Sequence, residues 1–306
     1  AIDIYRPVYG QPKPNGARPG TDFFEQTKSH ALNLQDQIIF TDRLRGMLGA
    51  RFEHFEQSID DFTRNHAKSQ QTHDAFTQRA GLLYQLTPEV GMFANASTSF
   101  KPNNGLDDGG KSFKPEEGVG YEIGIKNELF DDRLSTTLAV YELELYNRRT
   151  TDPLDRTITL LSGLQRSRGL ELTATGKIIG NWYVRGGIGL QDAKIEKDNG
   201  GFEGKRINDV AKRNASLFVT WKPEMGWYGE TGLTLVGDRY ADNANTVILP
   251  GYGRWDALAG FRHKEWDVRA ALNNISDKRY YASATSAAQI QPGDPRSLVV
   301  TGTYSF

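Results

Sequence analysis

Hydrophobic and polar residues alternate along most of the chain, with the period of two that half-buried β-strands show. In the stretch RNASLFVTW, Leu217 and Val219 share one face of the strand, whereas Ser216 lies on the other. The same pattern predicts thirteen strands, at 24–40, 44–60, 72–86, 90–101, 118–129, 133–149, 165–179, 181–198, 210–223, 227–242, 252–264, 266–276 and 295–306. The chain is therefore predicted to be an all-β protein.

The predicted connections alternate strictly between short and long. The short ones are TDR, TPE, DDR, GN, PEMG and KE, and the long ones are 61–71, 102–117, 150–164, 199–209, 243–251 and 277–294. The predicted strands are long, since strands usually have about five or six residues and a tilted membrane-spanning strand needs about ten. Short turns at one end and long loops at the other are typical of an antiparallel transmembrane β-barrel. A large soluble β-sandwich or solenoid is the alternative, but it has no reason to sort its loops by side.

Strand direction follows if the short turns face the periplasm. The last strand then runs inward, and so does the first predicted strand. Residues 10–23 would then be an external loop, and AIDIYRPVYG would be the outer end of an upward strand whose lower part is missing. We therefore expect the chain to be a fragment that supplies thirteen or fourteen strands of a larger barrel. Aromatic residues beside the short turns are predicted to form an interfacial girdle. They are Trp221, Trp227, Trp266, Tyr304 and Phe306.

Composition removes several classes of function. The formal net charge is -1, so no basic excess indicates nucleic-acid binding. Cysteine is absent, which excludes disulfides and thiolate chemistry. No apolar run reaches the roughly 18 residues of a transmembrane helix. Acidic pairs such as Asp131 and Asp132 are ordinary turn formers, and no G-x-S-x-G elbow occurs, so we expect no enzyme.

Several stretches in order along the chain resemble one family. They are FANASTSFKP, FKPEEGVGYEIGIKNELFDDRLSTTLAVYELELYN, QRSRGLELTATGKI and the asparagine-rich ALNNISDKRYY, followed by a terminal aromatic residue. Together they resemble the C-terminal part of a TonB-dependent ferric-siderophore receptor of the bacterial outer membrane. The resemblance implies about 22 strands around an N-terminal plug. Residues 1–306 would then be the C-terminal portion of the barrel, without the plug and the first strands.

The resemblance also implies a ligand and partners. The ligand would be a ferric siderophore, most similar to the hydroxamates ferrichrome and ferrioxamine, and import would depend on the TonB energy-coupling complex. The siderophore itself ligates the iron, so no resident metal or cofactor is expected. Outer-membrane lipid or lipopolysaccharide, phages and bacteriocins are further expected partners. Haem or cobalamin import and a passive porin-like channel remain alternatives.

A siderophore site requires aromatic walls and hydrogen-bond donors at the external mouth. The candidate ligand contacts are Tyr5, Tyr9, Phe23, Phe24, Phe113, Tyr146, Arg148, Tyr240 and Tyr280. Each of these residues could instead stabilise its loop or belong to an upper aromatic girdle.

Alternation also predicts which side chains face the lumen. Glu142 and Glu144 are predicted to be luminal, because Leu143 and Leu145 occupy the other face, and Tyr146 and Arg148 would continue the luminal face outward. Tyr240 is predicted to point inward at the end of the strand 227–242. The polar lining of the lumen is predicted to include Lys126, Glu171, Lys177, Asp267 and Arg269.

Overall fold

The computed structural model describes residues 22–62, 67–103, 113–151 and 159–306. Thirteen antiparallel strands form one sheet, and each of the thirteen pairs with the next of them along the chain. They are β1 (Phe23–Ile39), β2 (Leu44–Asp61), β3 (Ala67–Gln85), β4 (Val90–Lys101), β5 (Glu116–Leu129), β6 (Leu134–Thr151), β7 (Thr159–Ile179), β8 (Trp182–Lys197), β9 (Arg213–Trp221), β10 (Gly226–Val236), β13 (Tyr252–His263), β14 (Trp266–Asn273) and β17 (Ser297–Tyr304). The described part of the chain contains no helix that is long and apolar enough to cross a membrane.

Two small hairpins lie outside this sheet. One joins β11 (Arg239–Tyr240) to β12 (Ile248–Leu249), and the other joins β15 (Tyr281–Ser286) to β16 (Gln289–Pro292). The thirteen predicted strands are confirmed, but the predicted loops 243–251 and 277–294 carry these extra strands. The predicted strand 227–242 was also too long. It leaves the sheet after Val236, where Gly251 approaches so closely that an added Cβ would lie 2.8 Å from the Val236 carbonyl oxygen.

One face of the sheet, here called the outer face, carries an apolar belt. Register places Ile123 beside Val140, and Val140 beside Leu170, and the belt continues to Leu298 and Val300 on β17. These side chains are exposed, as expected of residues that contact lipid. The belt is continuous across the sheet, which is the property that a membrane-spanning barrel wall requires.

The predicted aromatic girdle lies on the outer face beside the short turns. Trp221 pairs in register with Trp182, and the Trp266 and Tyr304 rings are 4.9 Å apart. The rings of Trp227 and Phe261 meet edge to face at 5.2 Å. Aromatic side chains of this kind mark the level of a membrane interface.

The opposite, inner face is polar. Lys126, Glu171, Lys177, Asp267 and Arg269 all occupy the register positions that face away from the apolar belt. The predicted polar lining of the lumen is therefore confirmed.

The prediction for Glu142, Glu144 and Tyr146 was wrong. Glu142 pairs with Tyr121 and lies on the same face as Val140, so all three side chains are on the outer face and Leu143 and Leu145 are on the inner face. Val140 is the last apolar residue of the belt on the outer face of β6, and Glu142 and Glu144 follow it toward the long-loop end. There the outer face meets water and lipid headgroups, so a carboxylate has no desolvation cost to avoid.

Arg148 does face inward, as predicted, but the cause is a β-bulge and not the alternation of side chains. The β6–β7 register shifts between Leu145 and Arg148, and Asn147 has a φ of 57°. A β-bulge of this kind inserts one residue and moves the following side chain to the other face. Arg148 thereby reaches Glu116 on the inner face of β5, with Nη1 2.8 Å from Oε1.

Candidate functional site

An aromatic surface lies on the inner wall at the outer end of β13. The rings of Tyr252 and Tyr280 stack with centroids 4.3 Å apart and planes at 29°. Arg254 lies beside them and donates from Nη1 to the Tyr280 hydroxyl at 3.4 Å and from Nε to Asp256 Oδ2 at 3.0 Å. The surface therefore combines two phenol rings with a guanidinium, which suits a ligand with flat apolar parts and oxygen acceptors.

Arg239 supports this surface from behind. Its side chain is 3% exposed, and its guanidinium lies 5.8 Å from the centre of the Tyr252 ring. Nε donates to Asp209 Oδ1 at 2.6 Å, and Nη2 donates to the carbonyl oxygens of Tyr281 and Ala282 at 2.7 and 2.8 Å. One buried cation thus joins three external segments of the chain.

The two external hairpins share a small apolar core. Ala241, Leu249 and Ala284 are buried together, and Val247 and Ile290 pack against them. The hairpins therefore form one folded unit, here called the external hairpin unit, rather than independent loops.

Hydrogen bonds from Asp242 and Asn245 fix the β11–β12 connection. Asp242 accepts from the Thr246 and Val247 amides at 3.1 and 3.0 Å. Desolvation alone would raise the pKa of the Asp242 carboxyl, but these hydrogen bonds outweigh it and lower the pKa. Asn245 accepts from the Arg206 amide and donates to the Arg206 carbonyl, both at 2.9 Å, which ties the connection to the preceding loop.

Asn274 anchors the segment that follows β14. It is 1% exposed and has a φ of 50°, a conformation that asparagine tolerates well. Its backbone amide donates to Asp256 Oδ1 at 2.8 Å. Its side-chain oxygen accepts from the Lys278 backbone amide at 2.9 Å, and its side-chain nitrogen donates to the carbonyls of Lys278 and Asp294 at 3.0 Å. The asparagine-rich stretch ALNNISDKRYY therefore has a structural role at the rim of the barrel.

A second polar anchor lies across the mouth, between β4 and β6. Asn103 donates to the Lys114 and Asn147 carbonyls at 2.8 and 3.2 Å, and Asn147 donates to the Pro115 carbonyl at 2.9 Å. Phe113 is only 7% exposed beside this network. Its side chain is therefore largely buried.

The other predicted contacts are dispersed. Tyr5 and Tyr9 lie outside the described residues. Phe23 and Phe24 are both exposed at the start of β1, Phe23 on the inner face and Phe24 on the outer face. The Tyr146 hydroxyl donates to Glu144 on the outer face.

Tyr240 lies in the external hairpin unit rather than in the sheet, so the predicted inward direction does not apply to it. The Arg206 guanidinium covers its ring at 5.1 Å. Of the predicted contacts that lie among the described residues, only Tyr280 joins the aromatic surface. Tyr252 and Arg254 were missed, although the alternation of β13 extended back from Asp256 would have placed both on the inner face. No group of three or more His, Asp or Glu side chains in the described segments could hold a metal ion.

Comparison with known proteins agrees with this architecture. Residues 2–275 match the family model described as TonB dependent receptor-like, beta-barrel. The metal-pseudopaline receptor CntO of Pseudomonas aeruginosa is 39% identical over 317 aligned residues, which cover 100% of this chain and 45% of that protein. The ferrioxamine B receptor of Salmonella typhimurium is 28% identical, with 100% and 44% covered.

The crystal structure of the siderophore receptor PiuA from Acinetobacter baumannii superposes with a TM-score of 0.83 at 26% identity, over 92% of this chain and 44% of that one. The chain thus spans less than half the length of these relatives. Together with the thirteen-stranded sheet and its apolar belt, the match shows that the chain belongs to the TonB-dependent receptor β-barrel family of the bacterial outer membrane.

Proposed function

We propose that this chain is part of a receptor that binds a metal chelate at its external mouth and imports it across the outer membrane. The observation that carries the proposal is the surface of Tyr252, Tyr280 and Arg254 on the inner wall. Aromatic rings bind the organic framework of a chelate, and a guanidinium binds its oxygen atoms through charge-assisted hydrogen bonds. The names of the relatives, which include receptors for metal-pseudopaline and ferrioxamine B, support the same class of ligand.

The type of chelate is a finer proposal. Ferric hydroxamates are supported by the names of two relatives, the ferrioxamine B receptor and the ferrichrome outer membrane transporter of Escherichia coli, at 28% and 27% identity. The 39% identity to a metal-pseudopaline receptor favours a metal–pseudopaline chelate over these. In either case the metal enters as cargo, held by its chelator.

Energy coupling is proposed from the family. This chain would supply the C-terminal portion of the barrel, and an N-terminal plug with its TonB contact would belong to the rest of the receptor. Lipopolysaccharide around the barrel and phage or bacteriocin docking on the external loops are proposed further partners. The ferrichrome transporter carries phage receptor in its own name, which supports the phage proposal.

The first test is a binding titration of the full-length receptor in detergent. Tryptophan fluorescence would be followed during addition of metal-pseudopaline, ferrichrome, ferrioxamine B, a ferric catecholate, haem and cobalamin. Saturable binding of one metal chelate, together with its TonB-dependent uptake by cells, is the expected result. Binding of none of the six, with ion conduction by the purified protein in planar bilayers, would favour the passive channel instead.

A further inference from the structure

A groove of about 640 Å³ interrupts the apolar belt on the outer face of the sheet. Its floor is formed by small side chains on adjacent strands, Ala50 of β2, Ala80 of β3 and Ala96 of β4. Ala80 and Ala96 face each other in register. The larger side chains of Leu48 and Tyr121 are exposed beside this floor and form walls. The alanines therefore leave a depression in a surface that is otherwise covered by bulky residues.

The groove opens toward the membrane and not toward the lumen. Its floor belongs to β2, β3 and β4, each of which is paired with a neighbouring strand on both sides. A plug in the lumen contacts the inner face of this wall and does not reach the outer face. The occupant of the groove therefore comes from the surrounding lipid, which already contacts the belt on either side.

The groove ends just below the level at which charged residues begin on the outer face. Ala80 lies five residues from Gln85, the short-turn end of β3, and Asp74 lies six residues beyond Ala80 toward the long loop. Asp74 and His54 of β2 are 2.7 Å apart. Between this charged level and the groove, Phe52 and Phe76 face each other in register. The upper end of the groove therefore opens into the outer leaflet, close to the lipid headgroups.

Three polar side chains line this upper end, namely Gln78, Thr98 and Tyr121. The Thr98 hydroxyl accepts from the Gln78 backbone amide at 2.9 Å. Within the described segments, neither the side-chain amide of Gln78 nor the Tyr121 hydroxyl has a hydrogen-bond partner. An amide left without a partner beside hydrocarbon is costly. A ligand that hydrogen-bonds Gln78 at this depth is therefore favoured over plain hydrocarbon.

Charge does not select the ligand. Asp36 is the charged outer-face residue of the lining, and it lies three residues from the short-turn end of β1, away from Gln78. Above the groove, Lys28 faces Glu56 in register, and His54 faces Asp74. Neither sign of charge is in excess there, so recognition depends on the shape of the groove and on its hydrogen bonds.

We propose that the groove binds an acyl chain of lipopolysaccharide, with Gln78 hydrogen-bonded to a polar group near the head of that chain. The side-chain oxygen of Gln78 requires a donor, whereas its nitrogen requires an acceptor. Acyl chains of lipopolysaccharide carry hydroxyl and amide groups near the head, which both donate and accept, whereas the ester groups of phospholipid chains only accept. The proposal gives a site to the lipopolysaccharide named above as a partner, and it does not depend on chelate import.

The test fills the groove with Ala80→Trp, whose new side chain lies among lipid and does not overpack the protein interior. The matched control is Ala270→Trp, at an outer-face alanine four residues from the short-turn end of β14. Delipidated full-length receptor in detergent would be titrated with lipid A and, separately, with phosphatidylethanolamine, and bound lipid would be counted by native mass spectrometry. Lipid A affinity should fall about tenfold in Ala80→Trp, through lost contact with the acyl chain, and stay unchanged in the control.

Gln78→Leu tests the polar end without filling the groove, and it should reduce the preference for lipid A over phosphatidylethanolamine. Equal lipid A affinity in the wild type and Ala80→Trp, or no lipid A binding by the wild type, would overturn the proposal. Loss of phosphatidylethanolamine instead of lipid A in Ala80→Trp would assign the groove to a phospholipid and would also overturn it. The chelate titration remains independent, since Tyr252, Arg254 and Tyr280 are intact in these variants.

Discussion

The buried guanidinium of Arg239 lies 2.6 Å from the Asp209 carboxylate and 5.8 Å from the centre of the Tyr252 ring. This ion pair connects the loop after β8 to the external hairpin unit and to the inner wall of β13. Removal of one partner of a buried ion pair leaves an uncompensated charge and breaks the contacts that it organised. The stability of the mouth should therefore depend on Arg239 more than on any single surface contact.

Arg239→Met is expected to destabilise the external hairpin unit locally by about 3 kcal/mol, since a long apolar side chain keeps the volume but loses the ion pair and two carbonyl contacts. Hydrogen exchange measured by mass spectrometry should speed up in β11–β12 and β15–β16 but not in β1–β4. Arg168→Met is the matched control, because Arg168 is exposed and pairs with Glu142 on the outer face, away from both hairpins. Unchanged exchange in both hairpins would contradict the role of Arg239.

Arg254→Gln and Tyr280→Ala should each weaken binding of the transported chelate about tenfold, the loss of one charge-assisted or aromatic contact. Dissociation constants from tryptophan fluorescence of the full-length receptor would measure this. Tyr304→Ala on the outer face provides the control, because it removes a tyrosine that cannot reach the lumen. An affinity loss as large in the control as at Arg254 would show a general effect on the barrel.

Asn274→Ala should lower the stability of the barrel by roughly 2–4 kcal/mol, since it removes three side-chain hydrogen bonds from a buried position and favours a different backbone conformation. Urea unfolding in detergent would measure the loss. Asn273→Ala is the control on the adjacent, exposed position, where the side chain makes one bond of 3.3 Å to Ser297. Similar destabilisation by both variants would refute a special role for Asn274.

Gly260→Ala should be destabilising by about 1–3 kcal/mol, because the new methyl group overlaps the Tyr228 ring. The double variant Gly260→Ala/Tyr228→Ala should recover part of the loss, which a double-mutant cycle would detect. Gly302→Ala on β17 is the control, because an added Cβ there meets nothing within 4 Å. Additive effects of the two substitutions would argue against the proposed contact.

The external hairpin unit should weaken in acid through Asp242. Its pKa is lowered in the folded state, so its contribution is present above the unfolded value of about 3.9 and is lost as the pH falls through the folded value. Hydrogen exchange of Thr246 and Val247, corrected for intrinsic rates, should show protection at pH 6 that begins to decrease as the pH falls below about 4. Asp242→Asn should abolish this pH dependence, and persistence of it would assign the transition to another group.

The alternation of hydrophobic and polar residues predicted most of the strands of the barrel wall and the faces of their side chains. Leu298 and Val300 lie on the same face of the sheet as Val268 and Ala270. Successive residues of a strand point to opposite sides, so this placement can be predicted from neighbours in sequence alone. Strand number, the sorting of short turns from long loops, and the polar lumen face with Lys126 and Asp267 follow from the same local rule.

Other features depended on contacts between distant residues. The bulge at Asn147 moves Arg148 to the inner face, and the height of β6 above the apolar belt lets Glu142 lie on the outer face. Neither the shift in register nor the position of the membrane boundary can be predicted from the alternation of hydrophobic and polar residues. Both follow from how neighbouring strands pair and how far each one rises.

The sequence by itself determined the strands, the faces of most of their residues and the family, because hydrophobic alternation and short motifs are local properties of the chain. Only the tertiary structure brought Arg239, Tyr252 and Tyr280 together. The physical reason is that such clusters form through strand register and loop packing between segments far apart in sequence. No local pattern encodes the distance between their side chains.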